Sequence, residues 1–393
     1  MIGVKLEMFS SLVVALLLAA SARAQPLPPA TLDVNLSAPS APFEHVWKRS
    51  FGSGHALLAT RADWRAHLDL AIAELGLAGL RFHGTLDDGM SVTLDGASYY
   101  WYNVDAVYDH LVAKGVTPIV ELSFMPAALA NCSSGDDDGG DDAAGGGGDA
   151  PACADMYVFG DKGGYKGLAA PPKDFDAWRR LVQALASHFV ERHGAAEVAR
   201  WRFEVWNEMW GVSFPEPYMA LYNASAAGVK AAHPALKVGG PATMRLEHLD
   251  DFVARAAALG APVDFVSSHF YPSDPRCAAS DDWDCFARAV AGAAANASAA
   301  GLPFALTEFK EGLMGGLHDR AHCDTAYAAA VQRRAARGRR ERRGARARRS
   351  LVVDVLRPLR GARPARRAVR RQLRAHHRAR RAQARVGRVR GAR

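Results

Sequence analysis

Two carboxylates, Glu208 and Glu308, end apolar runs that lie far apart in the sequence. The run RFEVW leads into Asn207 and Glu208, and the run PFALT leads into Glu308. A carboxylate buried without a partner costs several kcal/mol. Two of them in such positions therefore indicate a polar site rather than a core. Carboxyl groups that face each other can break a glycosidic bond, with one as proton donor and the other as nucleophile or base.

Other polar side chains end apolar runs in the same way. Arg81 and His83 end GLRFH, Glu121 lies within PIVELSF, and VDFVSSHFY ends in His269 and Tyr271. Aromatic rings would suit the apolar faces of a sugar ring, although Trp206 fits core packing equally well. The aromatic candidates are Trp206, Trp210 and Tyr271.

Predicted strands and helices alternate along the chain and would bring these residues together. The strands are predicted at 46–51, 79–83, 118–124, 200–206, 236–239, 263–269 and 304–307, and the helices at 64–75, 104–114, 175–193, 217–233, 246–259 and 281–300. Such alternation predicts an α/β fold with a parallel sheet. Seven strands favour a (β/α)8 TIM barrel, in which strand C-termini face the active site. The absence of a G-x-G-x-x-G motif after an early strand disfavours dinucleotide binding.

Three motifs in order carry a resemblance to a known family. They are WNE at 206–208, SSHFY at 267–271 and TEF at 307–309, supported by LAGLRFHGTLDDGMSV at 77–92 and LKVGGPAT at 236–243. This set resembles glycoside hydrolase family 39, which contains β-xylosidases and α-L-iduronidases. The likeness covers roughly residues 43–330.

The resemblance implies a retaining mechanism on a (β/α)8 barrel, without a metal or organic cofactor. Glu208 matches the family's acid/base at the end of strand four, and Glu308 matches its nucleophile at the end of strand seven. Asn207 matches the amide that contacts the sugar 2-hydroxyl. The motif positions that line the sugar site are His83, His269 and Tyr271. The implied partner is a carbohydrate, with no nucleic acid, no membrane and no particular oligomeric state indicated.

Two features leave the substrate open. Many family members have proline after the acid/base, whereas Met209 and Trp210 follow Glu208 here, which puts the leaving-group side in doubt. The sugar itself is either xyloside-like or uronide-like. A uronide would need a cation near its carboxylate, and the candidates are Lys48, Arg49 and Lys310.

The N-terminus predicts secretion. Residues 1–24 read as a signal peptide, with Lys5, a short apolar run at 12–20 and an Ala-x-Ala site before Gln25. A Pro-rich lead at 25–42 follows. We therefore expect a secreted or lumenal glycoprotein. Its glycosylation acceptors would be Asn35, Asn131, Asn223 and Asn296.

The five cysteines also suit an oxidising compartment. Cys132 with Cys153, and Cys277 with Cys285, are near enough in sequence to close short loops, which leaves Cys323 over. The Asp- and Gly-rich insertion at 132–166 cannot support a core, so we predict a disordered loop. Its spacing does not match an EF-hand loop, and no metal site is predicted.

The tail at 331–393 differs from the rest of the chain. It contains 25 Arg, no Lys and only two acidic residues, whereas residues 1–330 hold 24 Lys and Arg against 39 Asp and Glu. Arginine mixed with Ala and Gly is typical of GC-rich DNA read in a shifted frame. A one-base shift of a back-translation of 351–361 gives WWWTFSDPFE, which resembles the family's Trp-rich eighth strand.

We therefore interpret the tail as frameshifted and not as a folded domain, with strand eight missing or replaced. The sequence leaves two alternatives to the hydrolase. An incomplete barrel could be an inactive carbohydrate-binding relative. An arginine-rich tail could also bind nucleic acid or another polyanion, with affinity that falls as salt rises.

Overall fold

The computed structural model describes residue 45, residues 48–132, 153–158, 167–278 and 285–310, and the backbone of 351–352 and 354–355. The predicted signal peptide, the lead, Cys323, most of the insertion and most of the tail lie outside these residues. None of the helices in the described part of the chain is long and apolar enough to cross a bilayer.

Seven parallel strands form the sheet in chain order. They are β1 (Phe51–His55), β2 (Gly79–His83), β3 (Thr117–Leu122), β4 (Arg202–Val205), β5 (Val238–Thr243), β6 (Phe265–His269) and β7 (Phe304–Glu308). Each strand pairs in parallel with the next one along the chain. Strands β2 to β7 are buried almost throughout, as a sheet covered by helices requires.

Helices connect the strands, as the alternation predicts. The longer ones are α1 (Ala62–Leu75), α2 (Tyr102–Ala113), α3 (Phe175–His193), α4 (Tyr218–Ala232), α5 (Leu249–Ala258) and α6 (Cys285–Ala299). The predicted helix at 246–259 is shorter than expected, because Met244–Leu246 forms a 3-10 turn, and the extended Glu247 and left-handed His248 separate that turn from α5.

The first strand was placed wrongly from the sequence. The prediction was 46–51, but β1 runs from Phe51 to His55 through FGSGH. Two glycines give this stretch little intrinsic strand preference. The stretch is a strand because it pairs with β2, with Phe51 opposite Leu80 and His55 opposite His83. Tertiary context often overrides propensity in strands.

The eighth position of the sheet is filled by a short segment of the tail. Leu351–Val352 pairs in parallel with β7, and Asp354–Val355 pairs in parallel with β1. Strand eight is therefore replaced by four paired backbone positions of the tail. With only two paired residues on each side, the barrel is incomplete, in agreement with the prediction of a replaced eighth strand.

The packing of α3 against α4 forms much of the outer core. Trp178, Leu181, Leu185 and Phe189 all lie on the buried face of α3, as their helical spacing predicts. On α1, helical spacing puts Leu68 and Leu75 on one face, but only Leu68 is buried, and Leu75 is exposed at the helix end.

Both predicted cysteine pairs form disulfides in the structure, Cys132 with Cys153 and Cys277 with Cys285. The first disulfide ties the end of the insertion to the loop after β3. Beside it, Tyr157–Val158 pairs antiparallel with Gly167–Leu168. The predicted disordered region therefore contains an ordered part at 153–158.

Candidate active site

The predicted carboxylates meet at the C-terminal ends of the strands. Glu208 follows β4 and Glu308 ends β7, and both side chains are buried. An oxygen of each, together with a ring nitrogen of His269 at the end of β6, lies within 4.8 Å of the others. This is close to the spacing of about 5 Å between the carboxyl groups of retaining glycosidases.

The turn after β4 directs Glu208 into this pocket. Trp206 and Glu208 both have left-handed backbone angles, with φ of 70° and 55°. Residues other than glycine rarely adopt this region, so surrounding contacts must stabilise it. The backbone N–H of Glu208 donates to the carbonyl of Ala242 in β5 at 2.8 Å. The indole N–H of Trp206 donates to the carbonyl of Trp210 at 3.0 Å.

Several donors surround Glu308. Arg81 Nη1 donates to Oε1 at 2.8 Å, and the Tyr271 hydroxyl donates to Oε2 at 2.8 Å. His83 Nε2 lies 3.5 Å from Oε1, and His269 Nδ1 lies 3.7 Å from Oε2. Burial alone would raise the pKa of Glu308, but His269, His83, Arg81 and the Tyr271 hydrogen bond outweigh it and hold that pKa well below its ordinary value. Glu308 is therefore an anion.

Arg81 in β2 is the cation that joins the carboxylates of the pocket. Its Nε donates to Glu204 at 2.6 Å, and its Nη2 contacts Glu121 and donates to Asn207 Oδ1 at 3.1 Å. Glu121 and Glu204 are opposite each other in the β3–β4 register, where like charges repel. Arg81 offsets that repulsion. Burial opposes its charge, yet Glu121, Glu204 and Glu308 raise the pKa of Arg81 above its usual value.

Two histidines lie beside these carboxylates. His83 Nδ1 is 3.0 Å from Glu121 Oε2. Burial would lower the pKa of His83, but Glu121 and Glu308 raise it. For His269 burial again opposes the charge, and Glu308 and Glu208 raise its pKa. At the end of β1, burial and the charge of His83 lower the pKa of His55 to about 4.

Glu208 has fewer partners. His269 Nδ1 lies 3.0 Å from its Oε1, and the indole N–H of Trp210 donates to its Oε2 at 2.6 Å. Asp274 lies behind this side of the pocket, where it accepts the backbone N–H of Tyr271 at 2.8 Å. Glu208 therefore faces His269 on one side and a tryptophan on the other.

Glu208, His269 and Glu308 are also near enough to share a metal ion. The pocket already supplies positive charge at this point, because the Arg81 guanidinium contacts Glu308. A divalent cation would be repelled by that guanidinium. The contacts fit an acid–base pair better than a metal site.

The structure brings all six predicted site residues into one pocket, namely His83, Asn207, Glu208, His269, Tyr271 and Glu308. Two of the three cations considered for a uronide lie elsewhere. Lys48 lies beside Gly76, and the carbonyl of Arg49 lies against Gly79, both at the opposite end of the strands. Lys310 follows β7 on the pocket side.

Sequence reasoning named Arg81 and Glu121 among the polar residues of apolar runs but gave them no role in the site, and it did not single out Glu204. Each is a charged residue inside an apolar strand, which was the signal available. Whether such a residue points into the barrel depends on the strand pairing. Trp210 was considered only as a surface for sugar, and its hydrogen bond to Glu208 was not predicted.

Known proteins with similar sequences include glycosidases. A β-xylosidase from Caldicellulosiruptor saccharolyticus is 36% identical over 256 residues, which are 62% of this chain and 46% of that protein. Human α-L-iduronidase is 40% identical over 70 residues, 16% of this chain and 11% of that protein. The chain spans about half the length of the β-xylosidase relatives it matches.

Among solved structures, a GH39 β-xylosidase from Caulobacter crescentus superposes with a TM-score of 0.63 at 27% identity. The match covers 81% of this chain and 64% of that chain. The sequence profile of glycosyl hydrolases family 39 matches residues 31–136 and 156–340. The chain therefore belongs to glycosyl hydrolases family 39.

Proposed function

We propose that the protein hydrolyses O-glycosidic bonds with retention of configuration and acts on β-xylosides. The observation that carries this proposal is the proximity of Glu208 and Glu308, which end β4 and β7 and have oxygens within 4.8 Å of each other. Family membership and the β-xylosidase relatives support it.

In the first step, Glu308 attacks the anomeric carbon. A carboxylate oxygen forms the new bond while the bond to the leaving oxygen breaks, and Glu208 supplies the proton that this oxygen takes. The pocket favours this assignment because Arg81 and Tyr271 hold Glu308 as an oriented anion. Asn207 is held by Arg81 and lies beside the nucleophile, where it would bind the sugar 2-hydroxyl.

In the second step, water hydrolyses the glycosyl-enzyme intermediate. Glu208, having given up its proton, takes one from the water as it attacks the anomeric carbon, and Glu308 leaves as a carboxylate. Arg81 and Tyr271 then stabilise the restored negative charge of Glu308. Two displacements on opposite faces retain the configuration of the sugar.

A neutral sugar fits the charges of the pocket better than a uronide. A uronide would place its own carboxylate near Glu208 and Glu308 and would need a cation to bind it. Arg81 already binds Glu121, Glu204 and Glu308, and Lys48 and Arg49 lie at the other end of the barrel. Of the three cations considered for a uronide, this leaves Lys310, two residues beyond β7. This argument favours xylosides.

We also propose that the chain is secreted or enters the lumen of the secretory pathway. The disulfides Cys132–Cys153 and Cys277–Cys285 support this, because disulfides persist in oxidising compartments. Their presence agrees with the predicted signal peptide at 1–24.

The test is turnover of 4-nitrophenyl β-xyloside and a fluorogenic iduronide by the full chain, with proton NMR of the first sugar released. We expect the xyloside to be the better substrate and its β-anomer to appear first. The variant Glu308→Ala should lose at least about 10⁴-fold in kcat.

Two results would contradict the proposal that the protein is a retaining hydrolase. An α-anomer as first product would overturn the retaining mechanism. Binding of xylose without turnover, unchanged in Glu308→Ala, would instead identify an inactive carbohydrate-binding relative. If the iduronide is the better substrate, Lys310→Met tests whether that lysine binds its carboxylate.

A further inference from the structure

Trp210 lies two residues after Glu208, in the turn where this chain departs from the family pattern. Its indole N–H donates to Glu208 Oε2 at 2.6 Å. The other oxygen of Glu208 lies next to His269. The two contacts together fix the plane of the Glu208 carboxyl group.

The position of Trp210 is itself fixed by the turn. Its carbonyl accepts the indole N–H of Trp206, a fully buried residue that packs against Phe124 and Trp178. The next residue, Gly211, has a φ of +64°, and a Cβ there would lie 1.5 Å from the carbonyl oxygen of Ala169. The turn therefore has little freedom to rearrange.

The ring of Trp210 is not part of the core. It is 40% exposed, whereas Trp206 is fully buried. Because Glu208 protonates the leaving oxygen, a ring bonded to Glu208 lies on the leaving-group side of the pocket. An exposed indole at that place offers a flat apolar surface to a sugar or aryl ring.

We propose that Trp210 is a positioning residue for Glu208 and that its exposed ring binds the leaving group of the substrate. This inference rests on the proposed function. It assigns two separable roles to one side chain: the N–H orients the proton donor, and the ring recognises a cyclic leaving group.

The two roles are separated by comparing Trp210→Phe, which keeps a ring but loses the N–H, with Trp210→Ala, which loses both. Two xylosides are measured with each variant. Xylobiose has a poor leaving group that needs the proton of Glu208, whereas 2,4-dinitrophenyl β-xyloside has a good leaving group that needs almost none.

For Trp210→Phe we expect kcat for xylobiose to fall about tenfold, the rate equivalent of one hydrogen bond to a charged group. Its KM for xylobiose should stay within about twofold, and kcat/KM for the dinitrophenyl substrate should hardly change. For Trp210→Ala we expect the same fall in kcat and, in addition, a rise of about tenfold in the KM for xylobiose.

Trp201→Phe is the matched control. Trp201 is also a tryptophan whose indole N–H donates to a carboxylate, Glu197 at 3.0 Å, but it lies just before β4, at the end of the strand away from the pocket. Its loss should lower stability without separating the two substrates. A purely structural role for Trp210 would give this same pattern.

Two outcomes would overturn the inference alone, given an active wild type. One is equal loss on both substrates in Trp210→Phe, and the other is no change on either substrate in both Trp210 variants. A wild-type chain that cleaves neither xyloside would overturn the proposed function, and the inference with it.

Discussion

The two sides of the pocket hold their carboxylates differently. On the β7 side, Glu308 accepts hydrogen bonds from Arg81 and Tyr271 and lies near His83 and His269. On the β4 side, the side-chain hydrogen-bond partners of Glu208 within the part of the chain that the structure describes are Trp210 and His269.

This difference assigns different tasks to two identical functional groups. A nucleophile must remain charged, and donors with a cation ensure that for Glu308. An acid/base must gain and lose a proton in each cycle, so a dense set of donors would hinder it. The number and charge of partners therefore predict which glutamate does which step.

Among the variants that test this difference between the two glutamates, Glu208→Ala should have the largest effect. For Glu208→Ala we expect turnover of xylobiose to fall about 10²- to 10⁴-fold, the usual contribution of general acid–base catalysis. Azide should restore turnover of dinitrophenyl xyloside, because Glu308 still forms the intermediate and azide then displaces Glu308 to yield a β-xylosyl azide. Glu308→Ala should give the α-azide instead.

Glu247→Ala is the control for that experiment, since Glu247 is an exposed carboxylate beyond β5. It should leave turnover unchanged. If azide produced the α-product with Glu208→Ala and the β-product with Glu308→Ala, the two roles would have to be exchanged.

Removing the shared cation should destabilise the protein. Arg81→Met leaves Glu121, Glu204 and Glu308 buried without their guanidinium, which should lower the free energy of unfolding by about 3–5 kcal/mol. Urea denaturation measures this loss. Arg192→Met is the control: Arg192 makes a two-bond contact with Asp109 at the surface, where solvent screens the pair, so we expect a much smaller loss than for Arg81→Met. Equal losses would contradict a special role for Arg81.

The smallest of the three effects is expected for Tyr271→Phe. It removes one donor to Glu308 and should lower kcat/KM about tenfold. Because the donor favours the charged form, its loss raises the pKa of Glu308 towards the ordinary value. The acidic limb of the kcat/KM profile should therefore move to higher pH. Tyr222→Phe, whose hydroxyl donates to the carbonyl of Pro262 outside the pocket, should leave the limb unchanged.

The sequence was sufficient to place the strand-end residues of the site. Glu208, His269 and Glu308 follow strong apolar runs, and parallel strands necessarily bring their C-terminal ends to one face. Family motifs then distinguished the two glutamates, which periodicity alone could not.

The interior charges could not be placed in the same way. Arg81, Glu121 and Glu204 lie within strands, and their direction depends on how neighbouring strands pair. The same dependence explains the misplaced β1, whose glycine-rich FGSGH is a strand because β2 lies beside it. The pairing of 351–352 with β7 and of 354–355 with β1 could not be predicted from the local sequence either, because an arginine-rich stretch precedes these residues.

The close approach of Gly211 to Ala169 links the catalytic turn to covalent maturation of the chain. Ala169 donates its backbone N–H to Met156 at 3.0 Å, and Met156 ends the short turn that begins at Cys153. The turn that carries Glu208 is thus connected through Ala169, Met156 and Cys153 to the disulfide with Cys132. A reduced polypeptide would lack that brace, so the turn that carries Glu208 would reach its full rigidity only after thiol oxidation.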